Sequence, residues 1–222
     1  MDISKRSIIE YQCLRAVENL KKNNMEACYV PSVSEVPAQV ERWLNEGDTV
    51  AVGGSTTLAE TGVLSLLRGG KYRFLDRYAP GLTPEQVRRI FIDSFDADAY
   101  LCSANAVTLG GELFNVDGNS NRVAALCYGP RSVIVIAGVN KLVPDIDGAV
   151  RRVKTMAAPA NSKRLGCQTP CAATGTCIGL YGGEMTDGCQ GDSRICCNYL
   201  VSARQREKGR IKVLLVGKEL GY

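Results

Sequence analysis

Apolar positions along the chain recur at helical spacing and at strand spacing in alternation. Over residues 3–21, Ile8, Tyr11, Leu14, Val17 and Leu20 fall near a 3.6-residue period, with Lys21 and Lys22 in the last turn. That pattern predicts an amphipathic helix. A short apolar run over residues 27–30, ended by Pro31, predicts a buried strand. Ser34 is placed to cap a helix over 34–44 that Gly47 closes. A strand over 49–52 runs into Gly53-Gly54-Ser55 and a helix over 56–67. A strand over 72–75 follows, then Thr83 and Pro84 open a helix to about residue 95. Residues 99–102 and the β-branched run 133–137 predict two more strands. The last long helix, 145–156, carries Ile146, Ala149, Val150, Val153 and Met156 on one face. Strands alternating with helices predict an α/β fold, an open and mostly parallel sheet with helices on both faces.

The texture changes after Ala160. Residues 161–198 are rich in Gly, Cys, Thr and Asp and show neither period, and residues 211–216 return as a strand. The expected organisation is an α/β ligand-binding domain over 1–160, a Cys-rich metal-binding segment over 161–198, and a C-terminal segment over 199–222 whose strand returns to the domain.

Charge and composition narrow the function classes. The 27 basic and 23 acidic residues leave a net charge of +4. Spread in this way, they describe a solvated surface and exclude a nucleic-acid footprint. The densest basic run, 204–210, contains a Glu and no aromatic residue and reads as a polar turn before the last strand. No apolar run approaches the ~20 residues that span a bilayer. The N-terminal residues lack the apolar stretch of a secretion signal. A cytoplasmic location is therefore expected, where disulfides rarely persist. The chain has 10 cysteines and no histidine. A metal site must then use thiolates, with or without carboxylates, and acid–base chemistry must use Asp, Glu, Lys, Tyr or Cys.

Two segments carry polar groups beyond what their turns require. In the first, Gly53, Gly54, Ser55, Thr56 and Thr57 join a buried strand directly to a helix. Free N–H groups, glycines and hydroxyls suit a phosphate or carboxylate. A tight capped turn accounts for these residues equally well. No Lys follows the glycines as in a Walker A loop, and their spacing is not that of a dinucleotide fingerprint. The second segment runs from Asn105 to Arg122 and holds four Asn, one Asp, one Glu and one Arg around three glycines. It predicts a hairpin of 107–109 with 112–115 across Gly110-Gly111. Asn105, Glu112, Asn115, Asp117, Asn119, Asn121 and Arg122 exceed a hairpin's needs and would lie at the same sheet edge as the Gly53 turn. Lys141, which follows a strand, is a candidate anchor for an anionic substrate. Arg77 and Asp76 end another strand, placed either to reach the crevice or to pair with each other. Glu60 lies one turn into the helix after the glycines.

The cysteines fall into two groups. Cys13, Cys28, Cys102 and Cys127 stand singly in periodic segments and read as core residues. Cys167, Cys171, Cys177, Cys189, Cys196 and Cys197 lie within 31 residues of irregular chain. In a reducing compartment, a tetrathiolate centre would supply folding energy that the segment's missing core does not. Zinc and iron–sulfur both accept four thiolates. The spacing matches neither paired C-x2-C zinc knuckles nor the bacterial ferredoxin run, and disulfides or free thiols are the remaining alternatives.

Several strings together resemble the lactate-utilisation (LUD) domain proteins, within the group that includes ribose-phosphate isomerases, glucosamine-phosphate deaminases and coenzyme A transferases. They are Val52-Gly-Gly-Ser-Thr-Thr-Leu-Ala-Glu-Thr-Gly62, Asp76-Arg-Tyr-Ala-Pro-Gly81, Ser103-Ala-Asn-Ala-Val-Thr108, Asn115-Val-Asp-Gly-Asn-Ser-Asn-Arg122, Gly138-Val-Asn-Lys141, Ala157-Ala-Pro-Ala-Asn161 and Arg194-Ile-Cys196. The resemblance runs from about residue 4 to the C-terminus. It implies an open α/β sheet and, in some members, a role in oxidising lactate to pyruvate beside iron–sulfur partner subunits. In the sugar-phosphate relatives the turn matching Gly53 to Thr57 binds phosphate. The cysteine-bearing relatives are similar around Thr169 to Cys177 and Arg194 to Cys196, although residues 178–188 look like an insertion. This implies Cys171, Cys177, Cys189 and Cys196 as ligands, with Cys167 or Cys197 as substitute. The family's redox association favours an iron–sulfur cluster, of 4Fe-4S type, over zinc.

The expectation is a redox-linked protein of hydroxy-acid utilisation that binds a small anionic or phosphorylated ligand. Iron–sulfur partner subunits and further copies of the chain are its expected partners. One alternative is a non-redox isomerase, deaminase or transferase with Glu112, Asp117 or Glu60 as acid–base group, Lys141 and Arg122 holding substrate, and a structural zinc. The other is a binding subunit without chemistry of its own.

Overall fold

The computed structural model describes residues 2–222. Its first helix, α1 (Ile3–Lys22), is capped by Asp2, whose carboxylate accepts from the Ser4 and Lys5 N–H groups. The buried face is Cys13, Ala16, Val17 and Leu20. This differs from the predicted stripe, because Ile8, Tyr11 and Leu14 are 55%, 68% and 44% exposed. The small residues Cys13 and Ala16 face the sheet and let the helix lie close to it.

The chain then forms β1 (Glu26–Val30), α2 (Val36–Glu41), β2 (Thr49–Val52), α3 (Thr56–Glu60), α4 (Val63–Arg68), β3 (Arg73–Leu75), α5 (Pro84–Asp93) and β4 (Ala99–Cys102). The helix expected over 56–67 is broken in two by Gly62, whose φ of +73° favours glycine. Ser32, not Ser34, caps the turn that leads into α2. The start of α5 follows the prediction, with Thr83 and Gln86 in a reciprocal capping box.

Two short strands, β5 (Ala106–Thr108) and β6 (Leu113–Asp117), make the hairpin that the polar turn predicts. The remaining elements are α6 (Asn121–Cys127), β7 (Ser132–Gly138), β8 (Leu142–Val143), α7 (Ile146–Arg152), α8 (Ala158–Arg164), α9 (Pro170–Thr174), β9 (Asn198–Ser202) and β10 (Ile211–Val216). A π-helical turn, Val153–Ala157, joins α7 to α8. Its wider winding turns Lys154 inward to 5% exposure and leaves Met156 53% exposed, against the predicted face.

Six strands form one all-parallel sheet in the order β1-β10-β7-β4-β2-β3. Alternate residues enter opposite cores. Val50, Val52, Leu101, Ile134, Ile136 and Leu214 pack on one face. Ala51, Tyr100, Cys102, Val133, Val135 and Leu215 pack on the other, with α1. Burial on both faces explains why these strands read as continuous apolar runs. A second sheet, β8-β5-β6-β9, stands beside the first. Its core holds Phe114, Val116, Ala149 and Val153, with Tyr199 edge-on to Phe114 at 6.4 Å between ring centres. The last strand, β10, lies between β1 and β7 in the interior of the main sheet. Of the four cysteines expected in the core, Cys13 and Cys102 are buried and Cys28 is half-buried, but Cys127 is exposed at the end of α6. Among the described residues no helix is long and apolar enough to cross a membrane.

Phe114 of β6 is fully buried in the core of the second sheet and packs edge-on against Tyr199 of the neighbouring strand β9. Phe114→Ala should cost about 3–5 kcal/mol, read as a lower urea midpoint with an unchanged slope. A loss well under 1 kcal/mol would show that this sheet contributes little to the fold.

Candidate functional site

Parallel strands present their carboxyl ends at one edge, so the loops after β2, β3, β4 and β7 converge there. They line a crevice of about 620 Å³ with Gly54 to Thr57, Arg77, Ser103 to Asn105 and Lys141. Asn161 and Arg164 of α8 and residues 192–197 form the opposite side. The volume is that of a small-molecule or cofactor site.

Gly53 stands behind this lining. A Cβ there would lie 2.9 Å from the Tyr100 hydroxyl and 3.3 Å from Arg122 Cδ and Cys102 Cβ, so the position takes only glycine without displacement. The hydroxyls of the turn are partly committed. Ser55 Oγ accepts from the Leu58 N–H at 3.3 Å, Thr56 donates to the Tyr222 hydroxyl at 3.2 Å, and Thr57 donates to the Leu220 carbonyl at 3.3 Å. Because α3 has only five residues, the positive character of the crevice comes from side chains.

Arg77 is one source of that charge. Asp76 pairs with Arg68 at 2.8 Å, not with its neighbour. Arg77 lies over the Phe91 ring at 4.6 Å and the Tyr78 ring at 5.4 Å. None of the ion pairs among the described residues includes it.

Arg122 organises the Asn-rich loop. Nη1 donates to the Ser103 carbonyl at 3.0 Å and Asn115 Oδ1 at 2.5 Å. Nη2 donates to Asn105 Oδ1 at 2.9 Å and the Val116 carbonyl at 2.7 Å. Asp117 accepts from the N–H groups of Asn119, Arg122 and Val123, which ties the hairpin to the start of α6. Asn105, Asp117, Asn119, Asn121 and Arg122 all line the crevice. Two expected members lie outside its lining. Asn115 is fully buried beneath Arg122, and its Nδ2 has no partner among the described residues. Glu112 accepts from the Thr108 hydroxyl in the hairpin turn, whose carbonyls are held by Asn19 of α1 and by Asn23 just after it. Glu60 accepts from the Gly221 N–H at 2.7 Å.

Lys141 lines the crevice and is 4% exposed. Nζ donates to Thr57 Oγ1 and Ser103 Oγ, both at 2.9 Å. No carboxylate pairs with it among the described residues. Burial pulls its ammonium down to about 7, the positive charges of Arg152 and Arg122 add to this, and Glu60 and Cys102 oppose it.

The cysteine segment packs against the far side of the crevice. Cys171, Cys177, Cys189 and Cys196 surround one small space of about 20 Å³, while Cys167 and Cys197 line the crevice instead. Cys196 lies on both. Burial pushes the Cys196 thiol up to about 12, with Cys171, Cys177 and Cys189 close enough to add to the effect. The donor set, four thiols without histidine, suits zinc or an iron–sulfur cluster. Among the described residues no three Cys, Asp or Glu side chains already grip a single point, so a metal would require the thiols to turn onto a shared centre. Sequence reasoning missed two residues that order this segment. Buried Lys154 donates to the carbonyls of Gly179 at 2.7 Å and Glu184 at 2.8 Å. Arg194 donates to the carbonyls of Thr186, Cys189 and Cys196 at 2.7–2.9 Å. The break in the 146–156 pattern at Lys154 was the available signal for the first; the second had none beyond its place beside Cys196.

Lys141 makes stability depend on pH. Its folded value, about 7, lies below the ordinary lysine value of 10.5. Between these values the unfolded chain binds a proton that the folded chain has released, so this term raises stability as pH rises from 7 to 10.5. Lys141→Met should remove that slope. Urea denaturation of both proteins across the window checks it, and parallel stability curves would refute it.

The sequence model of the LUD domain matches residues 13–216. A crystal structure of a DUF162 family protein from Deinococcus radiodurans is similar over 95% of this chain and 98% of that one, with a TM-score of 0.51 and 16% identity. That likeness shows a shared fold. Partial likenesses reach eIF2B beta from Chaetomium thermophilum (TM-score 0.36, 20% identity, 51% of this chain and 43% of that one) and eIF2B delta from the same organism (TM-score 0.34, 20% identity, 50% and 48%). No curated protein matches the chain. With the domain model spanning nearly all of its length, the α/β chain with this crevice belongs to the LUD-domain family.

Proposed function

We propose that this chain is a redox-linked protein of lactate or related hydroxy-acid utilisation. Its crevice binds a small anionic or phosphorylated ligand, and Cys171, Cys177, Cys189 and Cys196 hold an iron–sulfur cluster. One observation carries the reading: Val153, Ala158, Arg194, Ile195 and Cys196 line both the crevice and the space between the four thiols. The two sites share a wall. Membership of the LUD-domain family is consistent with lactate utilisation.

The chain's own residues supply binding and shielding. Arg77, and Lys141 when protonated, offer positive charge that no carboxylate among the described residues pairs with, which suits a carboxylate or phosphate. Thr169 Oγ1 lies 3.3 Å from Cys171 Sγ, and Ser162 Oγ lies 3.7 Å from it, so hydroxyls back one thiol as outer-shell partners back metal ligands. Arg194 holds the backbone at Cys189 and Cys196. An iron–sulfur centre, when bound, supplies one-electron transfer. Electron exchange with iron–sulfur partner subunits follows from this reading.

A structural zinc on the same thiols is the second reading, favoured by the narrow space between them, about 20 Å³. It would accompany non-redox chemistry, but the three carboxylates expected to do acid–base work are poorly placed for it. Glu112 lies outside the crevice, Asp117 accepts three backbone N–H groups, and the Gly221 N–H takes an oxygen of Glu60.

Protein prepared without air should be brown, with charge-transfer absorption in the visible and stoichiometric iron and sulfide. Cys171→Ser and Cys196→Ser should lose the colour, and Cys197→Ser should keep it. Colourless protein with one zinc per chain would overturn the electron-transfer part. For the crevice, phosphate or lactate at about 100 times its Kd should stabilise the fold by about 2.7 kcal/mol. Arg77→Ser should weaken that effect severalfold in a thermal-shift titration.

A further inference from the structure

We propose that Lys141 is a nucleophilic lysine that condenses reversibly with the carbonyl carbon of a small anionic aldehyde or ketone held in the crevice. The inference rests on the anion-binding reading of the crevice and names what kind of anion it takes.

The hydrogen-bond geometry around Nζ carries it. Nζ donates to Thr57 Oγ1 and Ser103 Oγ. Both hydroxyl protons are committed elsewhere, Thr57 to the Leu220 carbonyl at 3.3 Å and Ser103 to the Ala104 carbonyl at 3.4 Å. The two oxygens therefore act as acceptors toward Lys141. A neutral amine satisfies both with its two N–H groups, and its lone pair meets no donor among the described residues. An ammonium would carry a third N–H for which the described residues offer no acceptor. Lys154 provides the contrast within the same chain, since its Nζ bridges two backbone carbonyls that call for N–H donors and bind a loop.

The surrounding charges work in the same direction. Arg152 from α7 and Arg122 from α6 face Lys141, against Glu60 from α3 and Cys102 from β4. Arg152 is locked in place by the carbonyls of Asn140 at 2.7 Å and Asn105 at 2.6 Å. Burial with these two cations holds the amine near 7, where about half of it is neutral. Arg77, without a carboxylate partner, is the crevice group suited to the ligand's carboxylate or phosphate.

The step balances without an oxidant or reductant. The neutral amine nitrogen attacks the carbonyl carbon, a C–N bond forms, and the carbonyl oxygen takes up the proton that nitrogen releases. Loss of that oxygen as water, with a second proton, leaves the C=N double bond of an imine. Amine and carbonyl compound thus give imine and one water, and hydrolysis reverses the step.

Reductive trapping tests this on the full chain. Glyoxylate supplies a carboxylate-bearing carbonyl and dihydroxyacetone phosphate a phosphate-bearing one. Each is added with cyanoborohydride at pH 7, and adducts are located by peptide mass spectrometry. Lys141 should be labelled at least about a hundredfold faster than exposed Lys208, because about half of its amine but only about one ordinary lysine in a few thousand is neutral at that pH. The labelling rate should reach half its maximum near pH 7. The more effective carbonyl identifies the anion. Lys141→Met should lose the adduct, and because the wild-type peptide map locates it independently, the test survives a variant that does not fold. Labelling of Lys141 no faster than Lys208 overturns the proposal. If lactate, which has no carbonyl, still raises the melting temperature, the crevice reading stands without it; if no anion does, both fall.

Discussion

Covering a parallel sheet on both faces constrains everything else in this molecule. Its inner strands expose no face to water, so β4 and β7 are buried along almost their whole length. Polar groups cannot be accommodated there without paired hydrogen bonds. They are displaced to the strand ends, and because the strands are parallel, those ends fall on one edge. The Gly53 turn, Arg77, Ser103 and Lys141 belong to four different loops and share one crevice for this reason. The second sheet and the cysteine segment attach at the same edge, which brings Cys196 to the crevice.

The buried and half-buried cations divide into two groups by what they touch. Arg122, Arg152, Lys154, Arg194 and Arg210 donate to backbone carbonyls and hold loops in place. Buried carbonyls need donors, and a guanidinium can serve several at once. Arg77 and Lys141 are different. Among the described residues, Arg77 has ring faces against it and no hydrogen-bond acceptor, and Lys141 donates to two hydroxyls alone. The first group builds the site, and the second faces its interior: Arg77 with a full positive charge, Lys141 with an amine that is about half protonated near pH 7.

The cysteine segment shows how irregular chain is ordered without a core of its own. Residues 177–197 contain no helix or strand, so their carbonyls cannot pair in a ladder. Lys154 and Arg194 between them take five of those carbonyls. The four thiols lie inside the frame so formed, with Cys171 packed from α9. Cys167 and Cys197 fall outside it because the chain has already turned toward the crevice at both positions.

Most of the main sheet was legible in the chain. β1, β2, β4 and β10 lie within a residue of their apolar runs, and Thr83-Pro84 marks the start of α5. These features are local, since apolar run, cap and turn chemistry act over a few residues. The second sheet was only half legible: the hairpin carries its own turn, whereas β8 and β9 are strands only because β5 and β6 offer them partners. The same limit applied to side chains. Sequence placed Glu112 and Asn115 with the other polar residues of their loop, but hairpin geometry put one on the side of α1 and the other beneath Arg122. Sequence by itself determined the fold class, the convergence of polar loops at one edge and the distinction between scattered and clustered cysteines. Tertiary structure alone decided which cations are spent and which cysteines face one another, because both depend on contacts between residues far apart in the chain. It also decided the state of Lys141, whose two hydroxyl partners lie 84 and 38 residues away.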